Sequence, residues 1–513
     1  MVRDYMVELM DIGSVVDELD KNLLKKQSND VTDVLMFVST IEEKFNSIDV
    51  EQLNNKEKIM YLYTNSNYRA ILQYITHKEF EEFKKVSQIL RQYENYADFV
   101  FENFASRIKS FRDAIVLSKV EEDTLNKAYI SQIYVNLANV YNEMGRTVES
   151  VEELKKVGNI VDEFPMARAN LAIKHHSLST KVTNRPVMRF FLEKGISELE
   201  DVCNNVTSDD MTNDVLAQFI DWKGYMEKII NVHLSDVKPW SITLDVDDDY
   251  KIWSARKNLT LNYVNIFYDY GNVDDIQMID MGLGYFGEEN NMEYYSWFNT
   301  IKQEYNMARY FLYKIDTLIG EDNVHESQRY NVLINTLDYP ALGYRTELLK
   351  ISLKTAFSVL DKIGLFCCKF HKQEIPTFRI DFQSWYKEIE LDVALGSPFN
   401  ALYWLSRDLD RKSGDLKTIR LLRNCIEHRY IRVLDHYDKP LDEELADNDK
   451  FEYKVSYSDL KEITYETIRL VRNAIIYMAS GFNVEYNRVY YGDKGEGVFL
   501  PLYLSIYEDE WKN

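Results

Sequence analysis

The sequence is poor in turn-forming residues and cysteine, and its acidic residues outnumber its basic ones. Only 18 Gly and 8 Pro occur in 513 residues. That leaves few tight turns for a sandwich or barrel and points to long helices. The four cysteines, Cys203, Cys367, Cys368 and Cys425, lack metal-ligand spacing, and two are adjacent. Reduced thiols are expected instead of a disulfide framework or a zinc site. No apolar run approaches the ~18 residues a membrane helix needs. The opening stretch MVRDYMVELMDIGSVVDELD is charged throughout and has no apolar signal-peptide core. A cytoplasmic protein that does not engage a membrane is therefore expected. The net charge of −23 disfavours indiscriminate binding of nucleic acid or anionic lipid by the whole surface. The length suffices for two to four domains with a substantial core.

One stretch runs against the acidic background. Residues 407–432 contain eight Lys or Arg and four Asp or Glu, net +4, which would focus a polyanion on one place. Within it, LKTIRLLRNCIEHRYIRVLDHY (416–437) reads as a single amphipathic helix. Leu416, Ile419, Leu422, Ile426, Tyr430 and Val433 recur at steps of three and four. Asn424 and His428 stack one turn apart, with Arg420 one turn earlier on the same line. Arg423 is about 140° round from His428 at ~100° per residue, so its long side chain must reach across. These parts suit cleavage of an RNA phosphodiester. An imidazole can take the proton from a ribose 2′-OH. A guanidinium can hold the phosphate and stabilise its transition-state charge. That chemistry needs no metal and no cofactor. A helix with a solvated charged face is the plainer alternative. Arg472-Asn473 supplies an internal control: the dipeptide recurs on another striped helix, but Tyr477 stands where a histidine would be needed.

The rest of the chain is helical in pattern. Helices are expected over 3–26, 30–46, 55–75, 78–118 with a break near Tyr93–Ala97, and from 121 onward. Residues 131–172 resemble a tetratricopeptide repeat, a helix–turn–helix unit. Tyr134, Leu137, Ala138, Tyr141 and Gly145 fit its first helix and turn, and Ser150, Leu154 and Val157 its second. Pro165 lies later than the repeat's usual proline. Such a stack binds a protein or peptide on its concave face. His175-His176 diverge on a helix and are expected at the surface. The acidic clusters Ser208–Asp210 and Asp245–Asp249 are expected in solvated loops, with the linker between halves near 236–250. Residues 339–370 carry a bundle seam of Leu349, Leu353, Ala356, Leu360, Ile363, Cys367 and Phe370. Beside that seam, Asp361 either orients a catalytic side chain or makes a surface salt bridge. A shorter helix is expected around Ser384–Asp392 and a last long one at about 458–481. The tail from Arg488 alternates around Gly492-Asp493-Lys494-Gly495 and reads as a small β-hairpin.

The hexapeptide Arg423-Asn424-Cys425-Ile426-Glu427-His428 resembles the R-N-x-x-x-H signature of the HEPN superfamily (higher-eukaryote and prokaryote nucleotide-binding domains), many of whose members are metal-independent ribonucleases. The chain from Tyr250 resembles a bacterial branch with tetratricopeptide-like helices before a C-terminal HEPN domain. Trp253, Leu261, Asn262 and Asn265 match one motif of that branch, although Ile266 stands where an acidic residue is expected. Lys302, Gln303, Glu304, Ala308, Arg309 and Tyr310 match a second, and Asp361-Lys362-Ile363 a third.

The resemblance implies an all-α architecture. A tetratricopeptide-like array (1–240) for sensing or partner binding is followed by a connector (241–290) and a HEPN bundle with a C-terminal hairpin (291–513). It implies an endoribonuclease of antiphage-defence, abortive-infection or toxin type acting on RNA, tRNA included. The site would be shared by a homodimer with two motif helices facing each other. His428 is then the general acid/base, Arg423 the phosphate clamp and Asn424 the positioning amide, with Glu427, Asp361 and Arg420 in support. The competing expectation is a catalytically silent HEPN module for nucleotide or RNA binding or for dimerisation, on a helical protein-interaction scaffold.

Overall fold

The computed structural model describes residues 5–24, 31–121, 125–205, 213–242, 248–269, 274–279, 282–283, 292–317, 326–376, 378, 380–385, 397–411, 414–446, 450–491 and 500–501. These fall into two compact units, Met1–Lys174 with Gly195–Tyr225, and His175–Lys194 with Met226–Asn513. The chain is all-α with minor strands, as its scarcity of Gly and Pro implies. Among the described residues, no helix is long and apolar enough to cross a membrane.

The first unit opens with α1 (Tyr5–Leu24), α2 (Val31–Asn46), α3 (Asn55–Thr76), α4 (Phe80–Val86) and α5 (Tyr96–Val120). The expected break near 93–97 falls where Asn95 caps α5 by accepting from the Asp98 N–H at 3.0 Å. Asn54 and Glu57 form a reciprocal capping box at the start of α3. Next come α6 (Lys127–Glu143) and α7 (Thr147–Val157), packed as the expected helix–turn–helix. Tyr134, Leu137, Ala138, Tyr141, Leu154 and Val157 are buried between them. The Ser150 hydroxyl donates to Ala138 O at 2.7 Å and ties the pair together. Gly145 takes the left-handed φ of 80° that the turn requires. Next in the chain are α8 (Pro165–Ser179), with proline at its first position, α9 (Arg185–Asn205) and α10 (Asn213–His233), each divided between the two units.

In the second unit, His175 is 1% exposed and stacked on Phe267 at 3.8 Å. The expectation of a surface histidine is corrected here. Divergence from His176 rules out a shared metal but not burial of one ring against an aromatic neighbour. The short helices α11 (Asp249–Arg256) and α12 (Val264–Phe267) follow. Asn265 is buried, donating to Ala255 O at 3.0 Å and Tyr268 O at 2.9 Å, and Ile266 is buried too. That motif therefore serves to fold a loop.

The bundle consists of α13 (Met292–Thr317), α14 (Tyr344–Phe370), α15 (Pro398–Asp408), α16 (Lys417–His428) and, after the one-turn α17 (Leu441–Glu444), α18 (Tyr457–Tyr491). Helices α13 and α14 pack on each other and on α18, while α15 packs on α18 and α16 on α14. The seam residues of α14 from Leu349 to Cys367 are buried, as are Leu460, Ile463, Thr467, Leu470, Ala474 and Tyr477 of α18. Gly481 lets α15 close in, since a Cβ there would stand 2.6 Å from the Phe399 ring.

Three expectations change. The motif helix stops at His428, and Tyr430–Leu434 is a strand paired in parallel with Glu452–Ser456. Ile431 and Val433 are β-branched, and backbone pairing to the distant strand outcompetes a further helical turn. Helix α18 runs to Tyr491, past the expected end at 481. In the tail, Leu500–Pro501 pairs with Gly282–Leu283, a distant segment. The remainder of the expected hairpin, most of the expected 384–392 helix and the acidic clusters at 208–210 and 245–247 lie outside the described residues.

Candidate functional site

Helix α16 is set by a tight turn and an apolar face. Gly414 sits where a Cβ would meet Asp408 O at 2.3 Å, so only glycine allows this turn out of α15. The Leu416 N–H then donates to Asp408 O at 2.7 Å. Ile419, Leu422 and Cys425 are buried. Arg420, Arg423 and Asn424 lie half-buried at the margin, and Glu427 and His428 are exposed. The Arg429 N–H closes the last turn on Cys425 O at 2.8 Å, and Arg429 itself is extended at φ −136°. His428 therefore ends the helix.

Arg420, Arg423 and Asn424 line a small cleft with Asp361 and Phe357 of α14 and with Asp381–Gln383. The Arg423 guanidinium lies 5.2 Å above the Phe357 ring centroid. It donates to Asn424 Oδ1 at 3.1 Å and stands 3.7 Å from Asp361 Oδ2. Arg420 reaches Asp381 Oδ2 at 3.5 Å. The Phe382 N–H approaches Asp361 Oδ1 at 3.4 Å. Gly364, one turn along α14 from Asp361, makes room for this loop: a Cβ there would stand 2.8 Å from Asp381 O. Burial raises the Asp361 carboxyl above the ordinary aspartate range, against the Phe382 N–H and the Arg423 charge, which pull it down. At 3.7 Å the ion pair is too loose to offset desolvation. The cleft encloses about 70 Å³, room for a few waters at ~30 Å³ each but not for a nucleotide. A phosphate would meet the guanidinium groups at its mouth.

The sequence-predicted residues therefore divide. Arg420, Arg423, Asn424 and Asp361 share one cleft. His428 lies one turn beyond Asn424, outside the cleft lining and open to solvent. Glu427 pairs with Lys354 at 3.5 Å, which makes it a bridge from α16 to α14. Sequence reasoning missed Asp381, Phe357 and Gly364. Asp381 had one local signal, the Asp-Phe-Gln-Ser turn in which its N–H donates to Ser384 Oγ at 2.7 Å. No periodicity links it to Arg420, 39 residues away.

The control dipeptide behaves differently. Arg472 is fully buried and donates from Nε to Thr260 O at 3.3 Å. Arg309 is likewise buried, bonding Leu259 O at 2.8 Å and the Tyr250 hydroxyl at 2.9 Å and pairing with Asp275. Both arginines hold loops to helices. Among the described residues, no group of three or more His, Cys, Asp or Glu is placed to hold a metal ion.

Residues 286–485 match the family model described as LA2681-like HEPN. No curated protein and no solved structure matches the chain.

Proposed function

With residues 286–485 forming an LA2681-like HEPN domain, we propose that the chain is a metal-independent endoribonuclease of bacterial antiphage-defence or toxin type. The observation that carries this reading is the polar face of α16. Two guanidinium groups and an amide line one cleft, and an exposed imidazole follows one turn later. His428 takes the proton from a ribose 2′-OH as the 2′-oxygen attacks phosphorus. The P–O5′ bond breaks, and a proton delivered to the leaving oxygen gives a 2′,3′-cyclic phosphate and a 5′-OH. Arg423, with about a quarter of its side chain exposed (28%), exchanges Asp361 for a non-bridging phosphate oxygen. Asn424 holds the guanidinium in place, and Arg420 adds positive charge at the cleft.

In a homodimer, two such helices supply two Arg423–His428 pairs to one composite site. The N-terminal array takes the role of sensor or partner-binding element, and RNA, tRNA included, is the substrate. A second reading is a silent nucleotide- or RNA-binding or dimerisation module. It is favoured by the carboxylates facing both guanidinium groups, which bring the cleft close to neutral.

The test incubates the full chain with total RNA and with tRNA in EDTA and maps the product ends. Cyclic-phosphate ends support the ribonuclease. Retention of intact RNA by a chain that does not cut supports the binding module.

A further inference from the structure

The segment leading into α14 exposes side chains that a solvated loop does not ordinarily carry. From Tyr330 to Leu342 the sequence is YNVLINTLDYPAL. Val332 is 93% exposed and Ile334 85%, and Tyr330, Leu333, Leu337, Tyr339 and Leu342 are exposed as well. Tyr, Val and Ile favour strands, yet residues 331–336 have no regular structure. Among the described residues, the backbone of 332–334 makes no hydrogen bond.

The far end of this arm is anchored. Pro340 bridges Leu434, the Ala341 N–H donates to Val433 O at 2.8 Å, and the Asp435 N–H donates to Tyr339 O at 3.0 Å. Arg432 pairs with Asp338 at 3.2 Å. The arm thus attaches to the strand that begins two residues after His428. Two more rings are exposed here, Tyr430 at the start of that strand and Phe451 just before its partner, joined by a Tyr430 N–H to Phe451 O bond of 3.0 Å. Aromatic side chains bury about 150–250 Å² each. With the aliphatic residues, the surface on offer is on the order of 1,000 Å² per copy. A standard interface takes about 800 Å² per partner, and the largest patch on a typical monomer is about 300–600 Å².

We propose that residues 330–342 are the arm through which two copies of this chain associate, packing against the same arm and the Tyr430 and Phe451 rings of the second copy. Charge selects a second copy as the occupant. A chain of net charge −23 repels itself over most of its surface, and a two-fold contact sets each patch against its own kind. Residues 330–337 carry no charge, and Asp338 is already paired, so like meets like here without repulsion. The inference rests on the homodimer of the function proposed above and names its surface.

The experiment is sedimentation velocity on the full chain over a range of concentrations, for wild type and for Val332→Asp with Ile334→Asp. Both positions face solvent, and matching thermal melts check the fold. Wild type should dimerise, and the double variant should associate more than about tenfold more weakly. A benzophenone amino acid in place of Ile334 should crosslink to residues 330–342, Tyr430 or Phe451 at dimer mass. A wild type that stays monomeric, a double variant that dimerises as well as wild type, or a crosslink to the same chain or to an unrelated protein overturns the proposal. RNA cleavage is read separately. A dimer that never cuts keeps the arm and loses the ribonuclease, whereas a monomer that cuts does the reverse.

Discussion

Gly364→Ala tests how the cleft is built. A Cβ at this position would stand 2.8 Å from Asp381 O, 3.0 Å from Asp381 C and 3.1 Å from Phe382 Cα. Comfortable separation is about 3.5 Å, so the 381–382 segment must retreat by roughly half an ångström. The opposing atoms are backbone, and no rotamer relieves them. Overpacking of this kind costs about 1–3 kcal/mol. Alanine returns about 0.5–1 kcal/mol through its better helix propensity. The net loss should be about 0.5–2 kcal/mol, read as a lower urea midpoint at unchanged slope. The same retreat reaches the site. The Phe382 N–H to Asp361 contact is already 3.4 Å, and the Arg420–Asp381 pair 3.5 Å. Both are at the outer limit of bonding and would break. Arg423 then loses the fixed carboxylate that sets its position, and misplacement on this scale can cost up to about a hundredfold in rate. Cleavage of labelled RNA in EDTA, normalised to folded protein, provides the rate. A variant with unchanged midpoint and unchanged rate would refute the reasoning.

Four further variants have outcomes set by the burial and partners of the residue changed. Asp361→Asn should leave stability at neutral pH equal or raised. The folded state binds the Asp361 proton more tightly than the unfolded chain, because burial raises that carboxyl. Its contribution therefore falls as pH rises past the ordinary aspartate range, so the advantage of Asn should vanish in acid; a loss at pH 7 would mean that the Arg423 pair outweighs desolvation. Arg472→Ala should cost about 2–4 kcal/mol through a cavity and an unpaired Thr260 carbonyl, with cleavage per folded molecule unchanged. Arg423→Ala should cost less stability, about 0.5–2 kcal/mol through the lost Phe357 and Asp361 contacts, and cut the rate about 10²–10³-fold. Lys174 is buried, with its amine lowered to about 8 by desolvation and only partly restored by Glu143. Stability should therefore rise with pH between about 8 and the ordinary lysine value, and Lys174→Met should stabilise the chain at pH 7 by on the order of 3 kcal/mol, less by pH 10.

The helices were legible because their signals are local. Apolar spacing located the α14 and α18 seams, and small and bulky residues at fixed offsets located the α6–α7 pair. The Arg423–Asn424 dipeptide and the Arg472–Asn473 dipeptide were also separable, since the residue four positions after the asparagine differs. What the sequence hid depends on distant partners. Tyr430 and Val433 continue a helical stripe, and only pairing with residues 452–456 turns them into a strand. Asp381 and Gly364 acquire meaning only when a loop folds onto α14. His175 reads as a surface residue until Phe267 stacks on it.

The central claim is that His428 performs proton transfer on RNA. Single-turnover cleavage by wild type and by His428→Ala, in EDTA at matched concentrations, tests it most directly. The side chain is exposed, so the variant should melt like wild type, within about 0.5 kcal/mol. Its rate should fall about 10²–10⁴-fold, with the cyclic-phosphate product lost in parallel. A His428→Ala chain that cuts RNA at the wild-type rate would contradict the account.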